Sequence, residues 1–279
     1  MAAIALALGS SLVYGVSDFL GGLKSRSLPL LSVLLVSQGS ALAVLAVAVL
    51  AAGDGAPEGR YLLYGVLAGL AEAVAIAAFY RGLAVGVMSI VSPIAATAPV
   101  VPVVAAVALG ELPSSIQGAG SALAIAGIVI ISFEPGAGWR SRDLGPSLLF
   151  GLLTALGFGS FLVAMDAASE GSVPWALLMA RLTSVAAFAA VFLVRRPSLA
   201  VPRRELPVLA SIGLLIIAAD GMYATASTKG LLSVVAVLSS LYPVVTIGLA
   251  RFYLHERLRR SQQVGVAVTI CGAIAVSAG

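Results

Sequence analysis

Four ionisable side chains stand inside apolar stretches of this chain: Asp18, Glu72, Arg181 and Asp220. A charge at mid-bilayer costs about 2.5–3.5 kcal/mol on insertion scales, so each needs a partner or a task. An arginine keeps its proton, so Arg181 must meet an acid; by depth Asp220 is the first choice and Glu72 the second. Glu72 lies roughly 16 Å along its span and Asp220 roughly 21 Å along its own, at 1.5 Å per residue. The helical neighbours of Glu72 are Gly65, Ala68, Gly69 and Ala75. That face is too small to fill space, so it packs tightly or opens onto a cavity. Tyr223 and Ser227 extend the face of Asp220, while Tyr14 and Gly15 share the face of Asp18. The chemistry on offer is charge pairing with a bound solute, or proton carriage by a carboxyl in apolar surroundings, Glu72 first. The structural alternative is an ion pair and a helix-bridging acid with no ligand. The candidate binding residues are Glu72, Asp220, Arg181, Tyr14, Asp18, Tyr223, Tyr242, Ser92 and Ser239.

The elements that must position these residues are membrane helices. Of 279 residues 60% are hydrophobic and only 10% charged, with mean hydropathy +1.09. A soluble fold of this length cannot hide so much apolar surface, whereas a bilayer solvates it. The apolar runs are too long and too even for a β-barrel. Breakers and charges predict ten spans, near 3–22, 29–51, 61–81, 85–109, 115–133, 146–166, 174–194, 206–228, 231–254 and 262–279. Ser114 and Ser261 are placed to cap the fifth and tenth. Pro99 and Pro243 predict kinks in the fourth and ninth, where Ser92, Thr97, Ser239 and Thr246 can re-satisfy freed backbone groups. Trp139, Trp175, Tyr61 and Tyr64 fall at interfaces.

The two halves repeat each other. Glu111 is followed at +6, +9, +16 and +21 by Gln117, Gly120, Gly127 and Ser132, and Glu256 at the same offsets by Gln262, Gly265, Gly272 and Ser277. Glu72 stands ten residues before Gly82, and Asp220 ten before Gly230. This spacing makes the two acids counterparts across a central axis. The repeats are residues 1–135 and 136–279. Five helices per copy is an odd number, so the second copy enters the membrane upside down. The charges agree. Arg60 and Lys229 lie on the side of the termini, while thirteen basic residues lie on the other, among them Lys24, Arg26, Arg140, Arg142, Arg195, Arg196, Arg203, Arg204, Arg251 and Arg257. By the positive-inside rule both termini lie outside the cytoplasm.

The five-helix repeat, the Gly110-Glu111 pair after the fourth span and Glu256 after the ninth resemble the EamA-type permeases of the drug/metabolite transporter superfamily. The resemblance covers essentially the whole chain. It implies an all-α integral membrane protein, with ten helices as two inverted repeats around a central cavity. It implies export or exchange of small metabolites such as amino acids, in the cell inner (plasma) membrane. The second copy departs from the pattern, reading His255-Glu256. Family members are usually drawn with cytoplasmic termini, the reverse of what these charges give.

Other classes fit less well. One histidine and no HExxH or GxSxG leave an enzyme without its groups. No cofactor motif, ATP-binding loop or metal-ligand set is present, and the lone Cys271 forms no internal disulfide. The basic balance marks membrane topology and lipid headgroups rather than nucleic acid. The expected partners are a small-molecule solute and membrane lipid, the expected state a monomer with a homodimer as the alternative. A drug or toxic-cation efflux pump and a non-transporting scaffold remain as rival functions. Sparse aromatics, 6% of residues, weigh mildly against a flat cation site.

Overall fold

The computed structural model describes residues 1–25, 27–85, 88–132, 141–196, 201–253 and 259–279, without the side chains of 83, 84, 88, 89 and 141–143. Arg26, Trp139, Arg140, His255, Glu256 and Arg257 therefore lie outside the described residues, as does the side chain of Arg142. Among the described residues the structure is helical without strands: α1 (Ala2–Ser25), α2 (Leu30–Ala52), α3 (Gly59–Val85), α4 (Met88–Ala95), α5 (Val100–Ala108), α6 (Ser115–Ser132), α7 (Ser141–Ser169), α8 (Val173–Arg195), α9 (Leu206–Ser227), α10 (Leu232–Ser239), α11 (Tyr242–Tyr253) and α12 (Arg260–Ala278). Ten stretches of the described residues are long and apolar enough to cross a membrane. The fourth is α4 with α5, and the ninth is α10 with α11.

Those two spans are broken, not merely bent. Pro99 caps α5, whose chain runs through turns from Ala96 to Pro99, and Pro243 lies in the first turn of α11. A proline lacks the N–H that would continue the ladder and is tolerated where a helix begins. Thr97 and Thr246 hydroxyls donate to the carbonyls of Ile94 (2.6 Å) and Tyr242 (3.1 Å), satisfying backbone that lipid cannot.

The halves interlock. α3 packs on α7 and α8, while its counterpart α9 packs on α1 and α2; α6 lies along α12. Close approach at glycines fixes the equivalence. A Cβ on Gly15 would strike Val245 and the Tyr242 carbonyl, and one on Gly159 would strike Val101 and the Ala98 carbonyl, with every matched pair 144 positions apart. Gly69 abuts the carbonyl of Ala180 and Gly213 that of Ser37. Those glycines are again 144 apart, and their contacts 143.

This register corrects the pairing that the ten-residue spacing suggested. Counted from Gly69 and Gly213, Glu72 is matched by Ile216 and Asp220 by Ile76, so the two acids are one helical turn out of equivalence. The spacing misled because α3 runs on to Val85 while α9 ends at Ser227, so Gly82 and Gly230 do not occupy the same place.

The duplicated motif after each Glu is scaffolding. Gln117 Oε1 accepts the Ser114 N–H at 2.9 Å, and Gln262 Oε1 accepts the Arg259 N–H at 3.0 Å. Each glutamine thus closes the first turn of its helix. Ser114 caps α6 through the Gln117 N–H at 3.1 Å. Ser261 is not a cap: α12 begins one residue earlier, with Arg259 in the capping position. Gly120 and Gly127 meet Gly272 and Thr269 across the α6–α12 seam, and Gly265 and Gly272 meet Ile131 and Ala124. Small residues let the two backbones approach closely in lipid. Ser132 and Ser277 donate to carbonyls one turn back, at 2.9 and 2.8 Å.

Candidate functional site

Five helices from both halves bring one polar cluster to the middle of the bundle. α8 supplies Arg181, α3 Glu72, α9 Asp220, α2 Gln38 and α1 Tyr14. Arg181 is 2% exposed and Asp220 1%, so these charges are shielded from both lipid and bulk water. One guanidinium nitrogen of Arg181 donates to Glu72 Oε1 at 3.1 Å and to Gln38 Oε1; the other donates to Asp220 Oδ2. The Tyr14 hydroxyl donates to Asp220 Oδ1. Gln38 Nε2 reaches Glu72 Oε1 at 3.4 Å, a long contact. Arg181 therefore meets both acids, not one of them.

The cluster holds one fixed cation against two carboxyls, so it is an acid in excess. Both oxygens of Asp220 are engaged, whereas Glu72 Oε2 and the Arg181 Nε–H have no hydrogen-bond partner among the described residues. A buried, half-satisfied network is costly to keep. The surplus carboxyl can be neutralised by a proton, or matched by a cationic group arriving from outside the protein.

The remaining candidates separate. Tyr242 meets the ring of Tyr14 edge-on, centroids 6.2 Å apart. Asp18, one turn from Tyr14 on α1, is exposed and has no ion pair or hydrogen bond described. It is close enough to Tyr80 and Tyr242 for its charge to act on both phenols. Tyr223 is fully buried and its hydroxyl donates to the Leu162 carbonyl at 2.8 Å, which ties α9 to α7 and takes it out of the cluster. Ser239 is buried, its hydroxyl 3.4 Å from the Ala7 carbonyl. Ser92 is half-buried on α4. An apolar groove of about 600 Å³ between α1, α11 and α12 carries no titratable group and is no part of this site.

Sequence reasoning missed Gln38. The signal was available: it is the one amide in a 23-residue apolar helix, and it stands 143 positions before Arg181, the offset that relates α2 to α8.

The two ends of the bundle differ. Call the side bearing both termini the terminal face. There α5 packs against α10. At the opposite face their counterparts, α11 and α4, show no comparable packing among the described residues. All eight residues of α10 are buried and none of α11.

Comparison with known proteins agrees with this architecture. The chain matches the EamA-like transporter family over residues 1–133 and 145–278, and it belongs to that family. It is a multi-pass membrane transporter. No curated relative matches by sequence. A crystal structure of a protein 18% identical superposes with a TM-score of 0.83, covering 99% of this chain and 98% of the other, which shows a shared fold.

Proposed function

We propose that this member of the EamA-like transporter family moves small amine-bearing metabolites, amino acids foremost, across the inner (plasma) membrane by alternating access. The observation that carries this reading is the excess of acid buried inside the bundle: Arg181 against Glu72 and Asp220. A solute ammonium matches the surplus carboxyl, and an amino acid's carboxylate competes for Arg181. In the absence of solute a proton takes the place of the ammonium on Glu72, the acid with a free oxygen. Exchange of one for the other couples the solute to the proton gradient, because a carboxylate left bare in this interior is strongly disfavoured.

Asp18 and Tyr242 form the approach beside Tyr14 of the cluster, where an exposed carboxylate close to phenol rings receives the amine. Ser92 and Ser239, on the half-helices, supply hydroxyls along the same path. The repeats 1–135 and 136–279 rock about the α6–α12 seam, and the breaks at Pro99 and Pro243 let the half-helices move against their partners. Thirteen basic residues on the face opposite the termini support a cytoplasmic position for that face.

The test is flux in proteoliposomes, with amino acids of each charge class and an imposed pH gradient. Saturable uptake, exchange with solute on the far side and loss of the pH response in Glu72→Gln are expected. Flux that never saturates points to a channel, and full pH dependence in Glu72→Gln removes the proton role. Transport of lipophilic cations in preference to every amino acid would establish the efflux-pump reading instead. No flux of any solute leaves a scaffold.

A further inference from the structure

Glu111 stands in the chain just after α5, yet it caps a helix of the other repeat. Its Oε1 accepts the Leu232 N–H at 2.6 Å, and its Oε2 accepts the Ser233 N–H at 3.1 Å and the Ser233 hydroxyl at 2.7 Å. These N–H groups are the first two of α10, which a helix leaves without internal partners. The residue before them is Leu231, whose side chain has no oxygen to cap with. An anion there also meets the positive end of the helix dipole.

The backbone aims the carboxylate. Gly110 has φ +99°, a conformation that other residues adopt only under strain. The Glu111 N–H returns to the Ala106 carbonyl at 2.9 Å and the Gly110 N–H to that of Val107 at 3.1 Å. This pair of bonds ends α5 in a Schellman turn and turns the chain toward α10.

We infer that Glu111 is the latch of the terminal-face gate. Three observations meet at it. The bonds join α5 to α10, the pair of half-helices that pack at this face, a packing that their counterparts α4 and α11 do not match among the described residues. The helix it holds is buried along its whole length. Glu111 also borders a polar cavity of about 430 Å³ with Asp166, Glu170, Ser227 and Thr228. When α10 withdraws, the freed carboxylate passes into that polar space and is not stranded in lipid. A bond set that forms with the gate closed, and dissolves into water when it opens, biases one state against the other. Among the described residues the Glu111 carboxylate bonds to Leu232 and Ser233 and to no member of the Arg181 cluster. It is a positioning residue, setting which face is shut, and so rests on the alternating-access reading above.

The test reads the gate without any solute. In a Cys271→Ser background, Val234→Cys places a reporter on α10 that is 6% exposed in the closed form. A membrane-impermeant thiol reagent is applied to the protein in nanodiscs. Labelling is expected to rise about tenfold in Glu111→Ala, as for loss of one strong cap. Glu111→Gln should fall between, and Ser233→Ala should give a smaller rise. Labelling at the parental rate in Glu111→Ala and Ser233→Ala alike, with only a lower unfolding temperature, would mean a static cap and overturn the latch. If Glu111→Ala does not fold, Ser233→Ala, which deletes one hydroxyl, decides the question by the same reading. A wrong solute class or absent flux leaves this result intact, so the two proposals fail separately.

Discussion

The α6–α12 seam and the Arg181 cluster both lie between the repeats, and they are built on opposite rules. The seam is made of residues that occur twice: Gln117 and Gln262, Gly120 and Gly265, Gly127 and Gly272, Ser132 and Ser277. Each copy does the same work at its own helix. The cluster is made of residues that occur once. In the register set by the glycines, Glu72 is matched by Ile216, Asp220 by Ile76, Tyr14 by Phe158 and Arg181 by Gln38. Duplication preserves what two inverted units both need, which is close packing and capped helix ends. One solute bound on the axis, as proposed, would not need two copies of every group, and two arginines facing each other there would repel. The lesson is that sequence symmetry marks the frame, and departures from it mark the chemistry.

That contrast is broken most directly at Arg181. Arg181→Gln leaves two carboxyls together without their cation, and breaking a buried pair in this way costs about 3–5 kcal/mol. Thermal unfolding in mild detergent should show a large loss, and transport should vanish. Adding Asp220→Asn to the same chain should restore much of the stability and none of the transport. An Arg181→Gln protein as stable as the parent would mean that the charges do not hold each other.

Next in size is the difference between the two acids. Asp220 has both oxygens engaged, by Arg181 and Tyr14, so Asp220→Asn should destabilise by about 1.5–3 kcal/mol, the range for hydrogen bonds to charged groups. Glu72 has one oxygen free and relieves an excess of acid when neutralised, so Glu72→Gln should change stability by less than about 1 kcal/mol. The transport effects should run the other way in kind. Asp220→Asn should weaken all flux. Glu72→Gln should abolish proton-driven accumulation while exchange of solute for solute persists. Equal behaviour of the two variants in both assays would restore them as symmetric partners.

The ten spans, the inversion and the buried acids were legible in the sequence because each follows from hydropathy, proline placement or charge count. The register between copies was not. Glycine, alanine and leucine recur so often here that several offsets look alike, and only backbone contact at Gly69 and Gly213 chooses among them. Gln38 escaped because an uncharged amide in a 23-residue apolar helix draws no notice until its place opposite Arg181 is known. That Glu111 caps or pairs at a helix end is legible in the sequence, but which helix it caps is not. Its acceptors and donors are 121 and 122 positions apart, and no local pattern encodes such a pairing.

The frame itself can be tested by enlarging one glycine at a time. Gly69→Val and Gly213→Val each push a side chain into a carbonyl of the facing helix. Overpacking of this kind costs about 1–3 kcal/mol, and the two losses should match if the copies are equivalent in the 144-residue register. Gly221→Val is the control. A Cβ there meets only Leu177, at 3.6 Å, ordinary contact distance, so little should change. A heavy penalty at one glycine of the pair and none at the other would show that the halves pack by different rules.

The smallest effects belong to the glutamines that close α6 and α12. Each accepts one backbone N–H at the start of its helix, at 2.9 and 3.0 Å, and each lies at an exposed end where water can substitute. Gln117→Ala and Gln262→Ala should each cost about 0.5–1 kcal/mol, and the double variant their sum, since separate caps do not share partners. Hydrogen exchange should show the first turn of each helix opening faster, with exchange at the Arg181 cluster unchanged. Transport by both variants should stay near the parental rate. If instead either glutamine variant alters the pH dependence of flux, the duplicated residues reach the chemistry after all, and the division between a repeated frame and an unrepeated site is too sharp.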